Sequence, residues 1–319
     1  MEPTVSGAKP MRLSVYLPLA LSIVLAVLSP WVAQRLPPRA ATRTLTAAAA
    51  AAGAAGVWSL SLLAASAVGW LPQWPGDAEI SRLRWIRSDP IPPWAGALAA
   101  AALLVSAVQL IRTARRQHLD LCAAEQLCQS APDTELLIVP GEHPSAIAVP
   151  SRDGGRIMVT AAMLHALSAT ERRVMFAHER AHLQHRHHRY RRIAALAAAV
   201  NPLLLRVRND VAYTCERWAD EEAGLACGDR RLAAQALARA AVAAARRPGT
   251  ALAFERLNVL ARVQALRLPP PKNWPAMIAV CAVIAAAAAA AAGDATIAFA
   301  RFLAAVTPAV QELARNLGL

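Results

Sequence analysis

Five residues carry the clearest chemical signal in this chain: His178-Glu179-Arg180-Ala181-His182. Residues four apart on a helix share a face, so His178 and His182 can converge on one tetrahedral metal ion. Glu179, beside the first histidine, can reach a water polarised by that metal and take its proton. The competing reading is a solvated, charged helix end, which the Arg/His-rich run up to Tyr190 keeps open.

The pentapeptide is the HExxH arrangement of zinc peptidases. Two imidazoles alone do not hold a catalytic zinc. Three protein ligands and one open position are the rule, and three candidates offer the third. His188 stands where the last histidine of HExxHxxGxxH would fall, but the glycine position is His185. The run Thr170 to Tyr190 reads as one helix, which would carry His188 away from the pair. The only methionine downstream, Met277, lies in an apolar segment. His185 shares the face of His178 but lies about a turn too far along, as a supporting or solvated residue. Glu216, in Tyr213-Thr-Cys-Glu216-Arg-Trp-Ala-Asp220, can close a His2Glu set from a second helix. Asp220, one turn later, can accept the spare ring N–H of a ligating histidine. For this pair too the alternative is a wet helix face, since Glu221 and Glu222 follow. Tyr213, His185 and several arginines are open as partners for a developing oxyanion.

The composition asks for a membrane. Of 319 residues 56% are hydrophobic, yet the formal net charge is +13, and the mean hydropathy is +0.33. Segregated apolar and basic residues reconcile these values. A basic chain can also serve nucleic acid, but no zinc-finger, RNA-binding or basic-zipper pattern occurs, so no direct nucleic-acid binding is expected. The bases are nearly all Arg, with Lys only at 9 and 272, and Ala is abundant; this suits a GC-rich, bacterial coding bias. The five cysteines form no CxxC pair and read as free, mostly structural thiols.

Three apolar spans are predicted at 13–32, 45–70 and 94–111, and a fourth at 274–292. Residues 1–112 thus form an N-terminal membrane region, 113–273 a cytoplasmic domain, and 293–319 a short amphipathic tail after Gly293-Asp294. The first span lacks a small-residue cleavage pattern and reads as a span, not a removed signal. Arg35, Arg39 and Arg43 follow it in a 33–44 loop, and Arg112, Arg115 and Arg116 follow the third. The positive-inside rule then places both termini outside and the 113–273 domain in the cytoplasm. The 71–93 loop, with Trp74 and Trp85, falls outside; its Arg82, Arg84 and Arg87 are balanced by acids.

Within the domain, His118–Ser130 reads as a helix and Glu135–Val139, Ala146–Val149 and Ile157–Thr160 as strands. Asp153-Gly154-Gly155 supplies the turn chemistry of a hairpin. Ala161–Leu167 is a short helix, and Ser168 with Glu171 has capping-box spacing. Ile193–Leu205, broken by Asn201-Pro202, is short for a span and reads as re-entrant, interfacial or buried. Helices are expected over Asn209–Cys227 and Arg230–Arg247. Phe254–Leu268 is a basic amphipathic helix, facing either a core or a membrane surface.

HExxH followed by Glu216-x-x-x-Asp220 resembles the membrane-embedded gluzincin peptidases, which include the HtpX-type proteases and the BlaR/MecR-type signal-transducing metallopeptidases. The hairpin SAIAVPSRDGGRIMVT, the RVQAL helix and the layout of three spans, a zinc domain and a fourth span are similar to the second group. The resemblance implies a mainly α, multi-span membrane protein whose α+β zincin-like metallopeptidase domain lies between spans three and four. It implies one Zn2+ held by His178, His182 and Glu216, Glu179 as general base and acid, and Asp220 in support. The strand Ala146, Ile147, Ala148 and Val149 would offer substrate an edge. The expected activity is zinc-dependent endopeptidase action on a cytoplasmic or membrane-proximal protein, such as a BlaI/MecI-like repressor or the chain itself. The alternatives are HtpX-like quality control of membrane proteins and a non-catalytic membrane scaffold. Only residues 293–319 follow the fourth span, without a Ser-x-x-Lys, so no penicillin-binding sensor is expected there.

Overall fold

The computed structural model describes residues 11–67, 92–130, 134–152, 154–244, 252–271 and 274–316. The expected outer loop with Trp74, Trp85, Arg82, Arg84 and Arg87 lies outside the described residues, as do the end of the second span (68–70) and Asp153.

Four helices frame the molecule: α1 (Met11–Arg35), α2 (Pro38–Ala67), α3 (Pro93–Ser130) and, at the far end of the chain, α10 (Pro275–Asn316). Their segments Val15–Arg35, Pro38–Ala65, Trp94–Ser130 and Pro275–Ile297 are long and apolar enough to cross a membrane. Helix α2 touches the other three. Its Ala41, Ala48, Ala49 and Ala52 are buried, because small side chains let helix backbones approach closely.

Three boundaries differ from expectation. The 33–44 loop shrinks to Leu36-Pro37, since Pro38 suits the first turn of a new helix. The third span does not end at Ile111. Neither Gly nor Pro occurs from 97 to 130, so α3 runs through its arginines and absorbs the His118–Ser130 helix. Likewise α10 continues through Gly293-Asp294, and 293–316 extends the fourth span's helix instead of forming a separate tail. One glycine costs a helix only about 1 kcal/mol.

A small sheet follows α3. Strands β1 (Leu136–Val139), β2 (Ala146–Val149) and β3 (Arg156–Thr160) lie in the order β1-β3-β2. β1 runs parallel to β3, and β2 pairs antiparallel to it with Ile147 opposite Met158. Gly154 and Gly155 turn the hairpin at φ +106 and +92. A Cβ on Gly155 would strike the Val149 carbonyl, so the turn needs glycine there. Val159 packs inward with Met163, Leu167 and Met175, which belong to α4 (Ala161–Ala166), the segment after it and α5 (Ala169–Gln184). Ser168 caps α5 in a full capping box with Glu171.

The helix expected over Thr170–Tyr190 is broken. α5 stops at His185, Arg186 takes a left-handed φ of 51, and α6 (His187–Val200) leaves in a new direction. That conformation costs a non-glycine residue about 1 kcal/mol. α6, a short 3-10 turn (Pro202–Leu204) and α7 (Leu205–Ala226) form a hairpin. Its tip reaches the middle of the apolar helices: Asn201 Nδ2 donates to Ser22 Oγ (2.9 Å) and Ser106 Oγ to the Val200 carbonyl (2.9 Å). Ala197 packs against Gly53. Of the three expected readings of 193–205 the contacts bear on the buried one: residues of this hairpin share a core with α1, α2 and α10. Higher up, Ser29 donates to Asp210, Thr42 to Thr214, and Arg217 to the carbonyls of Ala33 and Gln34. These contacts fix α7 to the α1–α2 turn.

Helices α8 (Arg230–Ala244) and α9 (Leu252–Arg267) close the other side of α5 and α7. Val174, Ala223, Ala233, Ala234 and Leu266 form their common core, and Arg230 pairs with Glu221 at 2.7 Å. α9 therefore faces a core, with Leu266 buried and Leu260 exposed. The cysteines are free, and Cys128, Cys215 and Cys281 are buried.

Candidate metal centre

The crossing of α5 and α7 brings the expected residues together. Nε2 of His178 and Nε2 of His182 lie 3.2 Å apart. Glu216 places Oε2 3.5 Å from the first and Oε1 3.6 Å from the second. Four ligands about 2.05 Å from a zinc ion at tetrahedral angles stand about 3.3 Å from one another. The donor set thus has the spacing and the N/O chemistry that zinc requires, and it is the one His/Cys/Asp/Glu group of this kind among the described residues.

The surrounding contacts explain how the donors are held. His178 presents its other nitrogen, Nδ1, to Asp220 Oδ1 at 3.0 Å. Asp220 is in turn gripped in a two-point pair by Arg262 of α9, Nε to Oδ2 and Nη2 to Oδ1, both 2.7 Å. A third guanidinium nitrogen reaches Glu216 Oε2 at 3.3 Å. Burial raises the Asp220 carboxyl, but the Arg262 charge outweighs it and holds the group at about 2. Burial opposes a charge on His178, yet hydrogen bonds to Asp220 and Glu216 lift it to about 10. Glu216 is likewise held well below the carboxylate range against the effect of burial, by His178, His182 and Arg262.

The sequence reading missed two groups. Arg262 sits between Val259, Val263 and Leu266 on the apolar stripe of its helix. An arginine on a buried face requires a partner, and that was the available signal. His187 is the other. It is 1% exposed, and its Nδ1 lies 2.9 Å from Nδ1 of His182, the nitrogen turned away from the donor set. Burial, and the neighbouring His182 and His185, push its pKa down to about 3, so it stays neutral. It reaches that place through the bend at Arg186, which no glycine announces.

His185 stacks on Trp218 with centroids 4.5 Å apart and turns Nε2 to Glu222 (3.1 Å). His188 lines the cavity without joining the donor set. That cavity, of about 400 Å3, is bounded by His178, Glu179, His182 and Glu216 on one side and by Ala146, Ile147 and Ala148 on another. Val149, the fourth residue of the expected edge, is buried. β2 is the outer strand on this side of the sheet. Of the oxyanion candidates, Arg191 lines the cavity, whereas Tyr213 and His185 do not.

Residues 111–247 match the model of Peptidase family M48, a family of metallopeptidases. The matched segment takes in the sheet, α5 and α7 with all five of His178, Glu179, His182, Glu216 and Asp220; Arg262 lies beyond it. No curated protein and no solved structure matches the chain.

Proposed function

We propose that this chain is an integral-membrane zinc endopeptidase that cuts a protein segment at the cytoplasmic face of the membrane. One observation carries the reading: three donors at tetrahedral spacing share a cavity with Glu179 and the outer strand of a sheet. His178, His182 and Glu216 would hold the ion. Zinc supplies Lewis acidity to a carbonyl and to water. Glu179 takes the proton of the attacking water and delivers it to the leaving amine. β2 aligns an extended substrate through its open backbone edge, at Ala146, Ile147 and Ala148. Asp220 and Arg262 keep the His178 ring oriented, and His187 does so for His182.

The span layout and the cytoplasmic placement of the site belong to this reading. The basic residues after α1 and in the second half of α3 support the orientation, and the contacts of α7 with the α1–α2 turn support a site on the same side as that turn. A BlaI/MecI-like repressor, or a segment of the chain itself, is the substrate that the three-plus-one span layout favours.

Glu179→Gln tests the mechanism. The variant should retain zinc and lose peptide-bond cleavage by at least about a hundredfold, the scale of general acid–base catalysis. Unchanged cleavage of a membrane-proximal substrate in reconstituted vesicles would rule the mechanism out.

A further inference from the structure

A second cavity, of about 400 Å3, lies on the α6 side of the hairpin and is lined by Gln117 of α3, Arg191, Arg192 and Ala195 of α6, and Arg208 of α7. No carboxylate lines it. Among the described residues Arg208 bonds a neutral neighbour, Asn209 Oδ1, at 2.9 Å. Among the described residues no acid pairs with Arg192 or Arg208. Arg191 is the exception, reaching Glu216 at 3.5 Å. Arg192 and Arg208 thus line one concave site without an acidic partner among the described residues, a setting that suits an anion with several oxygens.

The position of the cleft selects the anion. α3, α6 and α7 all contribute to its lining. Gln117 is held to α6 through the Arg192 carbonyl, and Ser106 on the same face of α3 is held to Val200. Exposed leucines occur near it on both α3 and α7. Leu110 lies two turns before Gln117 on α3, and Leu205 one turn before Arg208 on α7, exposed by 37% and 45%. Leu203 at the hairpin tip and Ile193, beside Arg192, are also exposed, by 41% and 42%. The basic cavity therefore has exposed apolar side chains on the same helices beside it, and α3 carries Arg112, Arg115 and Arg116 between Leu110 and Gln117.

We propose that this groove binds an anionic phospholipid of the cytoplasmic leaflet, its phosphate between Arg192 and Arg208 and its acyl chains along Leu110 and Leu205. Basic pockets between membrane helices on that side suit acidic headgroups. The inference rests on the membrane reading of the four apolar helices and not on peptidase activity.

The test uses the full chain in mixed micelles of equal phosphatidylglycerol and phosphatidylcholine, with co-purifying lipid counted by mass spectrometry. Wild type should retain phosphatidylglycerol over phosphatidylcholine on the order of tenfold, from two basic residues at the headgroup level. Arg192→Gln/Arg208→Gln should abolish the preference. Arg192→Lys/Arg208→Lys, which keeps the charge, and Arg231→Gln on exposed α8 should preserve most of it. Gel filtration and circular dichroism establish that each variant is folded. Equal retention in wild type and the Gln pair overturns the proposal. Displacement of the lipid by millimolar inorganic phosphate, with phosphate binding the lipid-free chain equally well, would make this a soluble-phosphate site and overturn the lipid assignment.

Discussion

At the scale of single residues, the donor set separates ligands from neighbours. Glu216→Ala should remove bound zinc from the purified chain, whereas His188→Ala should keep it, as read by elemental analysis. Loss of zinc with His188→Ala and retention with Glu216→Ala would reverse the assignment. Arg262 bears on both metal and stability. Arg262→Met leaves Asp220 buried without its cation, which costs about 3–5 kcal/mol. Adding Asp220→Asn should recover much of that stability in thermal unfolding. It should not restore zinc affinity, which falls about 10- to 100-fold when a histidine's outer partner is lost. Recovery of both together would make Arg262 a packing residue only. These sites differed in how openly the sequence displayed them. His178, Glu179 and His182 lie within one helical turn, so spacing alone reveals them, and Glu216 and Asp220 share a face. Arg262 comes from a third helix and is joined to the site only by tertiary packing. His187 depends on a backbone bend that local sequence does not encode.

At the scale of elements, capping and bending set the site helix. The Ser168 hydroxyl accepts from the Glu171 N–H while the Glu171 carboxylate accepts from the Ser168 N–H. Ser168→Ala should cost about 1 kcal/mol in stability. Burial raises the Glu171 pKa, but the Ser168 bonds and Arg239 overcome it and lower it below the usual 4.5. Its stabilising effect is therefore present above pH 4.5 and fades as the pH falls through the lowered folded value. Thermal unfolding from pH 6 downward should show wild type losing its advantage over Glu171→Gln across that range. A pH-independent difference would assign the effect to packing. The bend at Arg186 makes the opposite kind of prediction. Glycine prefers the left-handed region that arginine tolerates poorly, and Arg186 is exposed. Arg186→Gly should leave stability unchanged or raise it by up to about 1 kcal/mol, while Arg186→Val should lower it. Propensity rules predicted an unbroken helix through this point; the tertiary pull of α6 toward α2 overrode them.

At the scale of the molecule, α6 and α7 join the donor set to the apolar helices, since they share a core with α1, α2 and α10. Sequence hydropathy found the four long apolar helices, because a run of about 20 apolar residues is hard to mistake. It left 193–205 undecided because each arm of the hairpin is too short to count as a span. Packing shows which helices those arms touch. Asn201 meets Ser22 and Gly56, each about 20 Å of helix rise below Arg35 and Arg43. If the four helices cross a bilayer, the hairpin tip stands inside it, and Leu203 and Leu205 face lipid. A spin label at Leu203→Cys, in a chain otherwise free of cysteine, should be quenched strongly by oxygen and weakly by a water-soluble nickel chelate in vesicles. A label at Arg186→Cys should show the reverse. Equal chelate access at both positions would place the hairpin in water, and the exposed leucines would then need a protein partner instead of lipid. The depth has a chemical consequence. Glu216 lies on α7, which begins at the tip, and that helix is anchored through Thr214 and Arg217 to the α1–α2 turn, so the placement of the proposed donor depends on the bundle. Breaking the anchor with Thr42→Val and Thr214→Val together should therefore weaken zinc binding without touching a donor, measurable as a lower chelator concentration at half-loss of zinc. Unchanged chelator resistance would show that α5, α8 and α9 hold α7 in place without the spans.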